Sequence, residues 1–158
     1  MLAKAFGFLI AAAVLGLPGV ANAKSKRVFV VAHVAANQSW QKMRLTLGGK
    51  GVLRFKAEGK WIFNPSQPPV GGDGAANLST AGRVNYTFSG PAGREGQLIG
   101  KIGRAPPFVA GAGGVHKVTP NETGRLSLMI NDDVKQSAGN GLADNSKRLR
   151  VRIDYMRE

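Results

Sequence analysis

Cysteine is absent from the 158-residue sequence. That excludes disulfides, thiolate metal sites and a cysteine nucleophile, and leaves packing, hydrogen bonds or a hard metal ion to hold the fold. Acidic residues are scarce, with 9 Asp and Glu against 22 Lys and Arg and a formal net charge of +13. The two histidines, His33 and His116, lie far apart, each beside apolar residues, so a histidine-based metal centre is not expected. No Gly-x-Ser-x-Gly elbow occurs, and no glycine cluster ends in Gly-Lys-Ser or Gly-Lys-Thr, which removes the usual signatures of an α/β hydrolase and of a phosphate loop. The carboxylate pair that a glycosidase needs has only Glu58 and Glu95 as candidates, one on the polar side of a strand and the other in a glycine-rich loop. An enzyme is not expected.

Long apolar runs are absent after residue 23. The one before it, Phe6 to Leu17, follows Lys4 and precedes Pro18 and the small-residue ending Ala21-Asn22-Ala23, the layout of a secretory signal cleaved after Ala23. The run is shorter than the roughly 20 residues a spanning helix requires. The expectation is therefore export, to the periplasm or as a secreted protein, without stable membrane insertion. Residues 24–158 are the size of one ordinary domain. The signal removes Lys4 and no acidic residue, so the exported part stays strongly basic. A field of that sign favours anionic cell-envelope polymers such as lipopolysaccharide, acidic polysaccharide or phospholipid head groups, rather than nucleic acid.

Helical periodicity is also missing after the signal. Val28 to Val34 is a continuous apolar, β-branched run that reads as a buried strand. Leu53, Phe55 and Ala57 alternate with Arg54, Lys56 and Glu58; the same period of two recurs at Val84, Tyr86 and Phe88, and at Leu126, Leu128 and Ile130. It is clearest where Leu149, Val151, Ile153 and Tyr155 alternate with Arg148, Arg150, Arg152 and Asp154. The arginines read as a solvated sheet face, since their alternating partners are mainly aliphatic and core-like, whereas base stacking wants exposed aromatic side chains interleaved with the charge. Glycine- and proline-rich turns separate the runs. Short strands between such loops predict an all-β fold, an antiparallel β-sandwich or jelly roll.

Against this basic background Asp132, Asp133 and Asp144 crowd into thirteen positions with Asn131, Asn140 and Asn145 close by. Carboxylates beside carboxamides and glycine-rich backbone supply the oxygen ligands that calcium prefers; an Asn- and Asp-rich turn needs no metal and uses the same residues. The segment from Asn131 to Asn145 also lies between two convincing strands, and a hairpin loop of that length is uncommon unless functional, mobile or held by something. The ligand spacing of an EF-hand is absent.

The run Val118-Thr119-Pro120-Asn121-Glu122-Thr123-Gly124-Arg125-Leu126-Ser127-Leu128-Met129-Ile130-Asn131-Asp132, followed by Asp144-Asn145-Ser146, resembles the C-terminal half of the PA-I-type galactophilic lectins. Gly96 to Gly103, Gly59-Lys60-Trp61, Gly71-Gly72-Asp73-Gly74, and Ala36-Asn37 with Trp40 extend the resemblance, with gaps, across the exported part. It implies a galactose-binding-domain-like fold and a calcium-dependent bacterial lectin. It also implies calcium held by the side chains of Asp132, Asp144 and Asn145, with backbone carbonyls near Asn64 and Gly141. Carbohydrate hydroxyls would sit on that calcium, with Asp132, Asp133, Asp144 and Asn145 as the ligand-binding residues. A histidine and a glutamine that contact sugar in the family have no counterpart near Ala76 to Ala81, where the polar residues are Asn77, Ser79 and Thr80. The alternative function is a basic exported structural or adhesion module that binds anionic envelope polysaccharide or lipopolysaccharide without a working sugar–calcium site.

Overall fold

A computed structural model describes residues 26–82, 86–90, 92–135 and 140–158. The expected signal at 1–23 and Val84 of one expected strand lie outside them. The described chain is all-β, with nine strands in antiparallel sheets and a single 3-10 turn at Gly141–Asp144. In chain order the strands are β1 (Arg27–Ala35), β2 (Gln41–Leu47), β3 (Gly51–Glu58), β4 (Trp61–Ile62), β5 (Leu98–Ile102), β6 (Phe108–Val109), β7 (Val115–Val118), β8 (Gly124–Ile130) and β9 (Ser146–Arg157). One sheet runs β1-β9-β3-β7, with β4 paired to the start of β9; the other runs β2-β8-β5-β6. No helix among the described residues is long and apolar enough to cross a membrane.

Alternation makes the two sheets face each other. Leu53, Phe55, Leu149, Val151 and Ile153 from the first sheet share one core with Met43, Leu45, Leu98, Ile102, Leu126, Leu128 and Ile130 from the second. Each such side chain contributes about 1.5–3 kcal/mol when fully buried, so the arrangement is β-sandwich-like, with the polar half of each alternating strand left outside. Arg54, Lys56, Arg150 and Arg152 are accordingly exposed.

Three expectations change. Val28 to Val34 is a strand, but one side of it is exposed: Phe29 is 66% and Val31 44% accessible. β1 is an edge strand paired to β9, and among the described residues no second layer covers its outer face. Tyr86 and Phe88 lie in bends and loop rather than a strand, because the Phe88 backbone is bonded to the Asn131 side chain instead of to a neighbouring strand. The segment between β8 and β9 is not a hairpin loop, since β8 belongs to one sheet and β9 to the other. Two alternating strands each declare a core-facing side, and here those sides meet across the core. The chain therefore leaves one sheet at Ile130 and enters the other at Ser146.

The outer face of the first sheet is ordered in rows by strand register. Arg27, Met156, Val52 and Lys117 form one row, and Phe29, Asp154, Arg54 and Val115 the next. Val31, Arg152 and Lys56 follow, then His33, Arg150 and Glu58.

Candidate metal and ligand site

The crossover from β8 to β9 builds a pocket at one end of the sandwich. Its lining is Phe63, Asn64, Tyr86, Glu95, Asp132, Asp133, Asn140, Gly141 and Asp144, around a volume of about 60 Å³. A single water needs roughly 10–15 Å³ of such space, so there is room for an ion with a few waters. No basic side chain is among these described lining residues, although the sequence has 22.

Each wall has a local cause. The chain leaves β8 through Asn131, which is fully buried. The Asn131 amide donates to the carbonyls of Phe88 at 2.9 Å and Arg94 at 3.0 Å, and its Oδ1 accepts the Phe88 N–H at 3.0 Å. Its backbone exchanges bonds with Gly96 and Gln97. These bonds fix the loop that carries Glu95 against the end of β8. Gly96 adopts φ +71°, and a Cβ there would lie 2.7 Å from the Phe63 ring and 2.8 Å from Val70; only glycine fits both constraints. The Gly96 carbonyl accepts the indole N–H of Trp61 at 2.8 Å. Trp61 is wholly buried, a core residue and not a platform for a sugar ring.

Opposite, Gly141 at φ +56° starts the 3-10 turn that brings Asp144 to the pocket. Asn145 follows in extended conformation. Its amide nitrogen donates to Asp132 Oδ2 at 2.7 Å and to the Ala36 carbonyl at 3.2 Å. Asn145 Oδ1 is buried and has no hydrogen-bond partner among the described residues. An acceptor withheld from water in this way costs about 1–3 kcal/mol.

Asp132 is 6% exposed. Burial pushes its carboxyl up to about 6. The Asn145 amide and the Asp133 N–H, which reaches Oδ1 at 2.7 Å, pull the other way, while the carboxylates of Asp144 and Glu95 add to the rise. Asp133 is buried as well and accepts the Lys135 N–H at 3.0 Å.

Comparison with protein families finds no matching family model, and comparison with curated proteins finds no match. The site therefore stands on its own geometry.

The structure brings together every residue singled out for this site. Asp132, Asp133, Asp144, Asn64 and Gly141 line the pocket, and Asn145 is bonded to Asp132 behind them. The Asn64 carbonyl accepts the Gln67 N–H at 3.0 Å, which leaves a second lone pair for a cation. Glu95 and Asn140 join the lining without having been singled out as site residues, and so do Phe63 and Tyr86. Asn140 sits within the acidic cluster and was open to the same reasoning, whereas Glu95 comes from a loop more than thirty residues away and carries no local signal. Among the described residues no three His, Cys, Asp or Glu side chains stand together at metal-ligand spacing. The donor set that fits a cation here is accordingly mixed: carboxylate, carboxamide and backbone carbonyl, the set suited to a hard ion. A shallower depression of about 260 Å³ shares Phe63 and is lined by Gln67, Pro68, Val70, Ala75, Ala76, Asn77 and Leu78.

Proposed function

We propose that this protein is an exported, calcium-dependent carbohydrate-binding protein with a galactose-binding-domain-like jelly roll, related to the PA-I-type lectins. The observation that carries the proposal is the pocket itself. Four carboxylates line one small pocket in a strongly basic chain, beside a buried carboxamide oxygen that has no donor among the described residues.

Burial raises the pKa of Asp132, and the neighbouring carboxylates of Asp144 and Glu95 add to the rise. A divalent cation reverses that sign. Asp132, Asp144 and Asn145 would hold calcium by their side chains, with the carbonyls of Asn64 and Gly141 completing the protein's share. When bound, the ion supplies open coordination positions where two neutral hydroxyls of one sugar displace water, an exchange the protein's own groups cannot drive alone. Asp133 and Asp144 are placed to accept hydrogen bonds from those hydroxyls. The pocket is too small for a pyranose ring, so the ring lies at its mouth. Phe63 joins the mouth to the apolar depression beside Ala76 and Asn77, the stretch where the lectin family makes its further sugar contacts. In this reading the ligand is held and released unchanged.

Glycan-array binding with calcium and again with chelator tests the reading. Binding to neutral glycans that disappears on chelation supports it. Absence of glycan binding in calcium, or binding indifferent to chelator, overturns it.

A further inference from the structure

We infer that the outer face of the β1-β9-β3-β7 sheet is a docking surface for an anionic lipid bilayer, independent of the calcium pocket. Two properties coincide on that face. Its rows hold Arg27, Arg54, Lys56, Arg150, Arg152 and Lys117 against two carboxylates, Asp154 and Glu58. Asp154 is shared between Arg27 at 3.2 Å and Arg152 at 3.1 Å, and Glu58 between Lys56 at 2.9 Å and Arg150 at 3.2 Å. Each acid thus bridges two cations, and the face keeps a clear positive surplus.

The second property is apolar. Among the described residues five large hydrophobic side chains are exposed, and four of them, Phe29, Val31, Val115 and Met156, lie on this one face. The Arg152 guanidinium sits 5.5 Å from the centre of the Phe29 ring, so charge and aromatic surface are presented side by side.

A soluble polyanion would neutralise the cations and leave Phe29 and Val31 in water. Duplex DNA would do the same, because its phosphates face outward. An anionic bilayer answers both features: lipid phosphates meet the arginines and lysines, while the aromatic and aliphatic side chains enter the interfacial zone. Each cation at such a surface raises partitioning about fivefold, and the effect decays within a Debye length. The row-ordered face lets several cations act together on one membrane surface. The outer face of the second sheet is different. It carries Lys42, Arg44, Lys101 and Arg125 around exposed Thr46, with Lys101 4.3 Å from the centre of the half-buried Trp40 ring, and among the described residues none of its large apolar side chains is exposed.

The test is vesicle co-sedimentation of the full chain in chelator, comparing phosphatidylcholine vesicles with vesicles containing 30% phosphatidylglycerol, at low and high salt. Expected are at least tenfold stronger binding to the anionic vesicles, steep loss with salt, and at least a tenfold drop in the Arg150→Glu, Arg152→Glu double variant. The sequence has no cysteine, so Phe29→Cys carries a single environment-sensitive dye, with Thr46→Cys on the opposite face as control. The dye at position 29 should shift to the blue on anionic vesicles and the dye at 46 should not. Equal binding to both vesicle types, an unresponsive dye at 29, or tight binding to dextran sulfate without vesicle binding would overturn the inference.

Discussion

One strand serves two surfaces of opposite character. β9 begins beside Asp144 and Asn145 in a small pocket of carboxylates, and a few residues later Arg148, Arg150 and Arg152 point to solvent from the sheet face. Four of the 9 acidic residues line the pocket, while the sheet face gathers cations. What separates the two is burial. In the pocket, charge is partly desolvated and fixed by backbone bonds, so a cation there is held by geometry. On the sheet, charge is solvated and screened, so an anion there is held by the sum of many weak, salt-sensitive contacts.

The largest way to break this contrast is to remove Asn131, which fastens the Glu95 loop over the pocket. Asn131→Ala deletes three side-chain bonds to Phe88 and Arg94 and leaves the part-buried Phe88 N–H without its partner. It should cost about 3 kcal/mol or more in urea unfolding and abolish any calcium response, while the sheet face keeps its salt-sensitive binding. An Asn131→Ala protein that is as stable as the parent would show that the loop is held by something else.

A second and smaller effect concerns the sign of the charge. With calcium chelated, Asp132 has a folded-state pKa of about 6 against an ordinary 3.8. The folded state thus binds more protons than the unfolded state between those values, and stability falls as pH rises from about 4 to about 6. Asp132→Asn should remove that falling slope and raise the melting temperature of the chelated protein at pH 7. If the parent and the variant show parallel pH–stability curves, Asp132 is not under strain. Smallest of all should be Phe29→Ser and Arg152→Ser, which alter exposed groups. They are expected to change folding stability by no more than about 0.5 kcal/mol and to leave the response to calcium untouched.

The sandwich was readable where alternation is clean, as in β3 and β9, because a half-buried strand must place apolar groups at every second position. β2 alternates equally well, with Met43, Leu45 and Leu47 inward and Lys42, Arg44 and Thr46 outward, and was open to the same reading. β8 was found by its leucines, but Ser127 and Met129 are buried too, which no period of two announces. Period alone misread β1, since an unbroken apolar run does not say whether both faces will be covered. It misread Tyr86 and Phe88 because a buried Asn131 from a distant strand decides where that backbone bonds. For the site, Asp132, Asp133 and Asp144 stood out as a local excess of acid in a basic chain. Glu95 did not, since its place in the pocket depends on Gly96, Trp61 and Asn131 together, a tertiary arrangement with no spacing to reveal it.

Calorimetric titration of calcium into the full chain, in parallel with Asp132→Ala, tests the pocket most directly. Calcium binding here predicts one ion per chain, saturating at or below roughly millimolar concentration, the weak end of extracellular sites, and no binding heat in the variant. A folded parent that shows no heat at several times that concentration, or a variant with the same isotherm as the parent, would contradict it.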